Sequence, residues 1–199
     1  MKLFNKYYID TKSFFRRGIK KKDEPFGVFI ITGRMGTGKS YFACKWVYEN
    51  YTDYKIKTNI KSLNIPKRDI EYFDSLSSIY NDNDEYCIYI IDELGKKYTK
   101  ENKADKDFYN FLQMSRKTKR IVFIIHQEYL QVPIWIRGVA SEIITTKKAP
   151  ILPIFITYKG FPYLDENMEW QVEYNTLYIY KRNKKIANLY NTFETVNTL

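Results

Sequence analysis

The most regular feature of the chain is a series of short, unbroken apolar runs. Residues 28–31 (VFII), 86–91 (YCIYII) and 121–125 (IVFII) are apolar without alternation, which predicts strands buried on both faces of a parallel sheet. Ala43, Trp46 and Val47 recur at helical spacing and predict a helix running to about Asn50. Phe108, Phe111 and Leu112 predict a second helix over 108–117. Residues 54–60 (YKIKTNI) alternate as a strand does, and 142–146, 153–158 and 176–180 read as further strands, the last in a hairpin with 171–174. A short helix is expected over 68–80, a solvated turn at 81–85, a mobile charged loop over 95–107, and a loop with a short helix over 128–140. Strands alternating with helices predict an α/β fold with a mostly parallel sheet, helices on its faces and a β-hairpin near the C-terminus.

Charge divides the chain unevenly. Of the formal net charge of +10, +7 falls within residues 1–22, which hold eight Lys/Arg against the single Asp10. Leu3, Phe4, Tyr7, Tyr8, Phe14, Phe15 and Ile19 recur there at roughly helical spacing, so the segment reads as a basic amphipathic arm. It suits packing on its own domain, docking on a neighbouring subunit, contact with nucleic acid, or peripheral contact with an anionic membrane. Pro25 and Gly27 end the pattern, giving an arm over 1–22 and one domain over 23–199. A protein that grips DNA with its whole surface would carry more charge on that body. The apolar runs are shorter than the ~18 residues a membrane span requires, and Cys44 and Cys87 fall in apolar surroundings that suit reduced thiols. A soluble protein of the host-cell cytoplasm is the expectation.

The chemistry begins where the first buried run ends. Gly33, Arg34, Met35, Gly36, Thr37, Gly38, Lys39 and Ser40 match the phosphate-binding pattern G-x-x-x-x-G-K-[ST] in full, between a predicted strand and a predicted helix. Glycines let backbone N–H groups close on a polyphosphate, and the following helix offers the positive end of its dipole. Lys39 would reach the β- and γ-phosphates of ATP, and the Ser40 hydroxyl would be a Mg²⁺ ligand.

The second run ends in Asp92-Glu93, and acids at the C-terminal end of a parallel strand face the crevice where ligands bind. Asp92 is expected to hold Mg²⁺ and Glu93 to deprotonate the attacking water. The third run ends in His126-Gln127. Gln127 is the expected sensor of the γ-phosphate or the lytic water, and His126 a positioned neighbour.

With these motifs in hand, the chain resembles the FtsK-HerA branch of P-loop ATPases, and within it viral genome-packaging ATPases and Zot-like assembly ATPases of filamentous phages. The resemblance spans about residues 26–148. It rests on the phosphate loop followed by Tyr41, Thr58-Asn59-Ile60, Ile91-Asp92-Glu93-Leu94, Ser115-Arg116-Lys117 and Ile125-His126-Gln127, with Val132-Pro133 and Ile136-Arg137 beyond. It implies a RecA-like sheet with an extra strand between the loop strand and the Asp92 strand. It also implies a homo-oligomeric ring (hexamer or pentamer), Tyr41 among the nucleotide-binding residues, and an arginine acting across the subunit interface, either Arg137 or Arg116. Zot-like proteins usually carry a transmembrane span after the ATPase region, and this chain shows none. The resemblance therefore points to an ATP-driven translocase that packages viral DNA from the cytoplasm, with a capsid or virion protein as partner and virion association in view.

The alternatives are Zot-like export, or a P-loop kinase acting on a small molecule. Kinases usually carry an Arg-rich lid, whereas 95–107 has lysines and no arginine, and an acid pair suits attack by water. A GTPase would carry an Asn-Lys-x-Asp element, which the sequence lacks. A non-motor scaffold that uses ATP as a switch is a further alternative.

Overall fold

The computed structural model describes residues 8–9, 26–50, 53–99, 101–149 and 154–191. Its centre is a nine-stranded sheet. In chain order the strands are β1 (Tyr8–Ile9), β2 (Gly27–Thr32), β3 (Lys55–Thr58), β4 (Ile70–Tyr72), β5 (Cys87–Ile91), β6 (Ile121–His126), β7 (Ala140–Lys148), β8 (Ile154–Leu164) and β9 (Trp170–Lys181). Across the sheet the order is β1-β9-β8-β7-β2-β6-β5-β3-β4. Every pairing is parallel except β7 with β8 and β8 with β9. β6 is the extra strand between the loop strand β2 and the Asp92 strand β5.

The three unbroken apolar runs form β2, β5 and β6, and all residues of these strands are buried. Alternation along each strand sends side chains to two cores. Phe29, Ile31, Phe123 and Ile125 join the core beneath α1 (Lys39–Glu49). Val28, Ile30, Val122 and Ile124 join the core beneath α2 (Lys106–Met114) and α3 (Ile134–Arg137). The two faces explain why the runs do not alternate: each residue of the three strands is covered whichever way it points, and only Tyr86, which precedes β5, is exposed. Cys44 and Cys87 are buried free thiols, and burial pushes the Cys87 thiol up to about 11.

Several expectations need correction. Residues 68–80 hold no α-helix: β4 forms an edge strand, and Leu76–Ile79 is a 3-10 turn whose start is capped by the Ser75 hydroxyl. Residues 171–174 and 176–180 do not pair as a hairpin. They are one strand, β9, whose partner along its length is β8. Lys159 faces Thr176 while Gly160 faces Tyr174, so Asn175 is the extra residue of a bulge.

The charged stretch 95–107, expected to be mobile, is anchored at Tyr98 and Asp105. Tyr98 is buried and its hydroxyl donates to Asp105, Tyr80 donates to the same carboxylate at 2.8 Å, and Asp105 caps α2 through the Phe108 N–H. The arm over 1–22 lies outside the described residues apart from Tyr8–Ile9, which form a strand along β9 in place of the helix their spacing suggests. Among the described residues no helix is long and apolar enough to cross a membrane.

Candidate functional site

The phosphate loop follows β2 directly. Gly33 (φ 148°) and Gly38 (φ 89°) hold backbone conformations that side chains resist, and neither has room for one. A Cβ on Gly33 would stand 2.5 Å from the Thr146 carbonyl oxygen, and one on Gly38 would stand 2.6 Å from the Phe155 ring. The loop is tied to the strands on both sides: Gly33 N–H donates to the Gln127 carbonyl at 3.1 Å, and the Thr37 and Thr146 hydroxyls bond at 2.9 Å. Gly38 then opens α1, whose first residues are Lys39 and Ser40.

Lys39 Nζ donates to the Arg34 carbonyl at 3.2 Å, folded back over its own loop. Burial holds its pKa below the ordinary lysine value, against the opposing charges of Asp92 and Glu93. Ser40 Oγ donates to Asp92 Oδ2 at 2.7 Å, so the two expected Mg²⁺ ligands, far apart in sequence, touch. Burial pushes the Asp92 carboxyl above the usual carboxylate range. The Ser40 and Glu93 N–H hydrogen bonds and the Lys39 charge pull the other way.

Thr58, Asn59 and Ile60 show why that segment matters. The Asn59 side chain bridges the turn after β5, donating to the Asp92 carbonyl at 2.9 Å and accepting the Asp92 N–H at 2.8 Å. The Thr58 hydroxyl ties the end of β3 to β5 just before that turn, donating to Ile90 O at 2.9 Å. In the sequence Asn59 stands only as part of a motif. Its work is a cross-strand bridge between backbones, which no spacing in the sequence announces. Glu93 follows in the left-handed region (φ 55°), its N–H donating to Asp92 Oδ1 at 2.8 Å.

Lys39, Ser40, Asp92, Glu93, His126 and Gln127 line one cleft of 520 Å³, with Met35, Gly36 and Gly38 of the loop at one wall and Tyr190 and Asn191 at another. The cleft lies outside the C-terminal ends of β2, β5 and β6, where open α/β sheets bind ligands. A hydroxyl next to a carboxylate suits Mg²⁺, a hard cation that binds through one or two protein oxygens together with phosphates and water.

Three expected residues stand elsewhere. Tyr41 does not present its ring to the cleft: the ring is 2% exposed, stacks on Tyr180, and its hydroxyl accepts the Asn183 N–H at 2.8 Å. Arg137 is buried, donating to Val132 O at 2.8 Å and Leu130 O at 3.2 Å beneath the Tyr129 ring. That guanidinium pins the loop after β6 to α3 and is not presented to a neighbouring subunit. Arg116 is exposed and donates to the Ser141 hydroxyl at 3.3 Å, beside Gly27. It therefore stands at the opposite end of β2 from the phosphate loop, roughly 20 Å away at the rise of a strand.

No protein-family model and no curated protein matches the sequence. Among solved structures, the chain is similar to the N-terminal domain of zonular occludens toxin from Neisseria meningitidis. That likeness has 18% identity and a TM-score of 0.60, over 83% of this chain and 98% of that one. The chain is also similar to the genome packaging NTPase B204 from Sulfolobus turreted icosahedral virus 2 in complex with ATP-gammaS, with 11% identity and a TM-score of 0.51 over 74% and 96% of the two chains. A third likeness is to the RadB recombinase, with 9% identity and a TM-score of 0.53 over 80% and 88%. At these identities the likeness is one of fold. The chain has the P-loop, RecA-like α/β fold that these proteins share, and its structural neighbours include the Zot and viral packaging proteins.

Proposed function

We propose that the chain is an ATPase that hydrolyses ATP with Mg²⁺ and couples turnover to movement of viral DNA during genome packaging, as a homo-oligomeric ring. The observation that carries the hydrolytic reading is the hydrogen bond from Ser40 to Asp92 inside a cleft that also holds Lys39 and Glu93. Loop N–H groups and Lys39 would bind the phosphates. Ser40 and Asp92 would hold Mg²⁺, which when bound neutralises charge on the β- and γ-phosphates. Glu93 would take a proton from the attacking water, and Gln127 would orient that water or the γ-phosphate. Arg137 is assigned to structure. Arg116 is retained as the arginine acting in trans only for a ring in which one subunit's lower edge meets its neighbour's cleft.

The packaging reading is supported by the likeness to B204, and DNA movement by the motor class that the chain's motifs resemble. Export in the manner of a Zot-like protein is the second reading, favoured by the breadth of the likeness to the zonular occludens toxin domain. The deciding measurement is ATP turnover with single-stranded DNA, double-stranded DNA or none. Stimulation by DNA is expected. Turnover indifferent to both, with a small-molecule hydroxyl phosphorylated instead, would replace the motor with a kinase. Stable ATP binding without turnover would leave a switch. Flotation with anionic vesicles separates the two motor readings, since export requires a membrane and packaging does not.

A further inference from the structure

His126 is the only histidine in the chain and closes β6, between the phosphate-loop strand and the Asp92 strand. Thr32 is its partner on β2. On the other side the last pair is Ile91 with Ile124, so His126 stands two residues beyond it, on the side of the Asp92-Glu93 turn. The residue is 7% exposed, and its Nδ1 accepts the Glu128 N–H at 3.2 Å. A ring nitrogen that accepts a hydrogen bond has no proton of its own, so the neutral ring carries its proton on Nε2. Burial, with the Lys39 charge nearby, lowers the pKa and favours that neutral form.

The Nε2 side of the ring has no partner. It is buried without a hydrogen bond among the described residues, although a buried donor is ordinarily satisfied. It lies against Gly95, where a Cβ would stand 2.6 Å away, and both Gly95 and His126 line the cleft. Asp92 is engaged, accepting Ser40 on one oxygen and the Glu93 N–H on the other, and the other carboxylates that line the cleft, Glu93 and Glu128, make no hydrogen bond to Nε2. Nε2–H is thus left for an acceptor that enters the cleft, and beside Lys39 the chemistry of such an acceptor is that of a terminal phosphate.

Resting on the ATPase reading above, we propose that His126 Nε2–H donates to a γ-phosphoryl oxygen of bound ATP, as a catalytic donor additional to Gln127. A neutral imidazole fits next to Lys39 because it supplies a directed N–H without a second positive charge. Gly95 serves the same end by keeping a side chain off the ring nitrogen.

Two substitutions separate the ring nitrogens. His126→Gln puts an amide N–H near the place of Nε2, whereas His126→Asn restores only an acceptor near Nδ1 for the Glu128 N–H. The Gln variant should keep kcat within several-fold. The Asn variant should lose roughly 10²–10³-fold in kcat, the range found when one preorganised donor to transition-state charge is removed. Affinity for ADP should be unchanged in both. Equal kcat in the two variants, or retained kcat in the Asn variant, would overturn the proposal.

The single histidine also allows a readout independent of turnover. In ¹⁵N-histidine-labelled Glu93→Gln protein, the Nε2–H signal should move when Mg·ATP binds and stay in place with Mg·ADP. The same shift with both nucleotides would mean that the ring follows closure of the loop rather than the γ-phosphate, which also overturns it. A wild-type chain that hydrolyses ATP while this signal stays silent sinks the histidine proposal alone. A chain that binds no ATP removes the ATPase reading and this one with it.

Discussion

In the half of the sheet built from β2, β6 and β5 every strand residue is buried, and each strand delivers a polar group to the same edge: the phosphate loop, His126-Gln127 and Asp92-Glu93. Along β8 and β9 burial is intermittent. Phe161, Tyr163 and Leu164 stand 50%, 45% and 44% exposed, and β7 pairs with β8 no further than Gly160. The far part of this hairpin is also acidic on a basic protein: residues 161–173 hold Asp165, Glu166, Glu169 and Glu173 and no Lys or Arg. The first half is fixed from both faces and can position side chains to fractions of an ångström. The second is held from one side and presents surface. The first suits chemistry and the second suits contact with other molecules, and the acids of the hairpin end disfavour the DNA backbone as what it meets.

The sharpest test of the first half is Lys39→Ala. Backbone amides alone do not neutralise the charge of a triphosphate, so binding of a fluorescent ADP analogue, followed by anisotropy, should be lost together with turnover. Affinity unchanged in a folded variant would remove the site from this half of the sheet.

Glu93→Gln should keep the cleft's shape and remove its proton acceptor. Nucleotide should bind and hydrolysis should fall by roughly 10²–10⁴-fold, the usual worth of a general base. Wild-type turnover would mean that the base lies elsewhere.

The next largest effect joins the two halves. Arg137 binds two carbonyls beneath α3, and Gly138, which follows it, packs against Trp170 at the start of β9. Arg137→Met should strand those acceptors and lower stability by about 1–3 kcal/mol in urea unfolding. Turnover per folded molecule should change little, and mixing with Glu93→Gln subunits should rescue nothing. A stable Arg137→Met protein with turnover restored by such mixing would return Arg137 to the subunit interface.

The two halves also differ in how far they can be read from sequence. β2, β5 and β6 are legible because two-sided burial writes an unbroken apolar run, and because a complete phosphate-loop pattern with an acid pair at the end of a second buried run seldom arises by chance. β9 misleads because Asn175 adds one residue to the strand, flipping the side-chain alternation at that point so that one strand looks like two. β4 is an edge strand of three residues, too short to show a period. Within the site, the roles of Asn59 and Arg137 are hidden for a common reason. Their partners are backbone groups brought near by folding, and neither residue type nor spacing encodes them. Tyr41 follows Ser40 directly in the motif, but one step around a helix turns a side chain by about 100°, here from cleft to core.

The smallest expected effect tests the independence of the hairpin end. Glu166 and Glu169 are exposed near its turn, and the turn itself is held by Asp165, which accepts the N–H groups of Asn167 and Glu169 at 2.9 Å each. Reversing both charges, Glu166→Lys with Glu169→Lys, leaves that acceptor in place and loses only the attraction between the exposed Glu169 and Arg137, so stability should fall by no more than about 1 kcal/mol. Basal turnover should be unchanged, because nothing in the cleft is touched. DNA binding is the quantity expected to move: each lysine that reaches a phosphate releases about one counterion, so affinity should rise and the slope of log affinity against log salt should steepen by up to about two. If the reversal instead slows basal turnover severalfold, the hairpin is coupled to the cleft and the division between the two halves fails. If DNA binding and its salt slope do not move at all, the acidic end lies away from the path of DNA, and its exposed aromatics face a different partner.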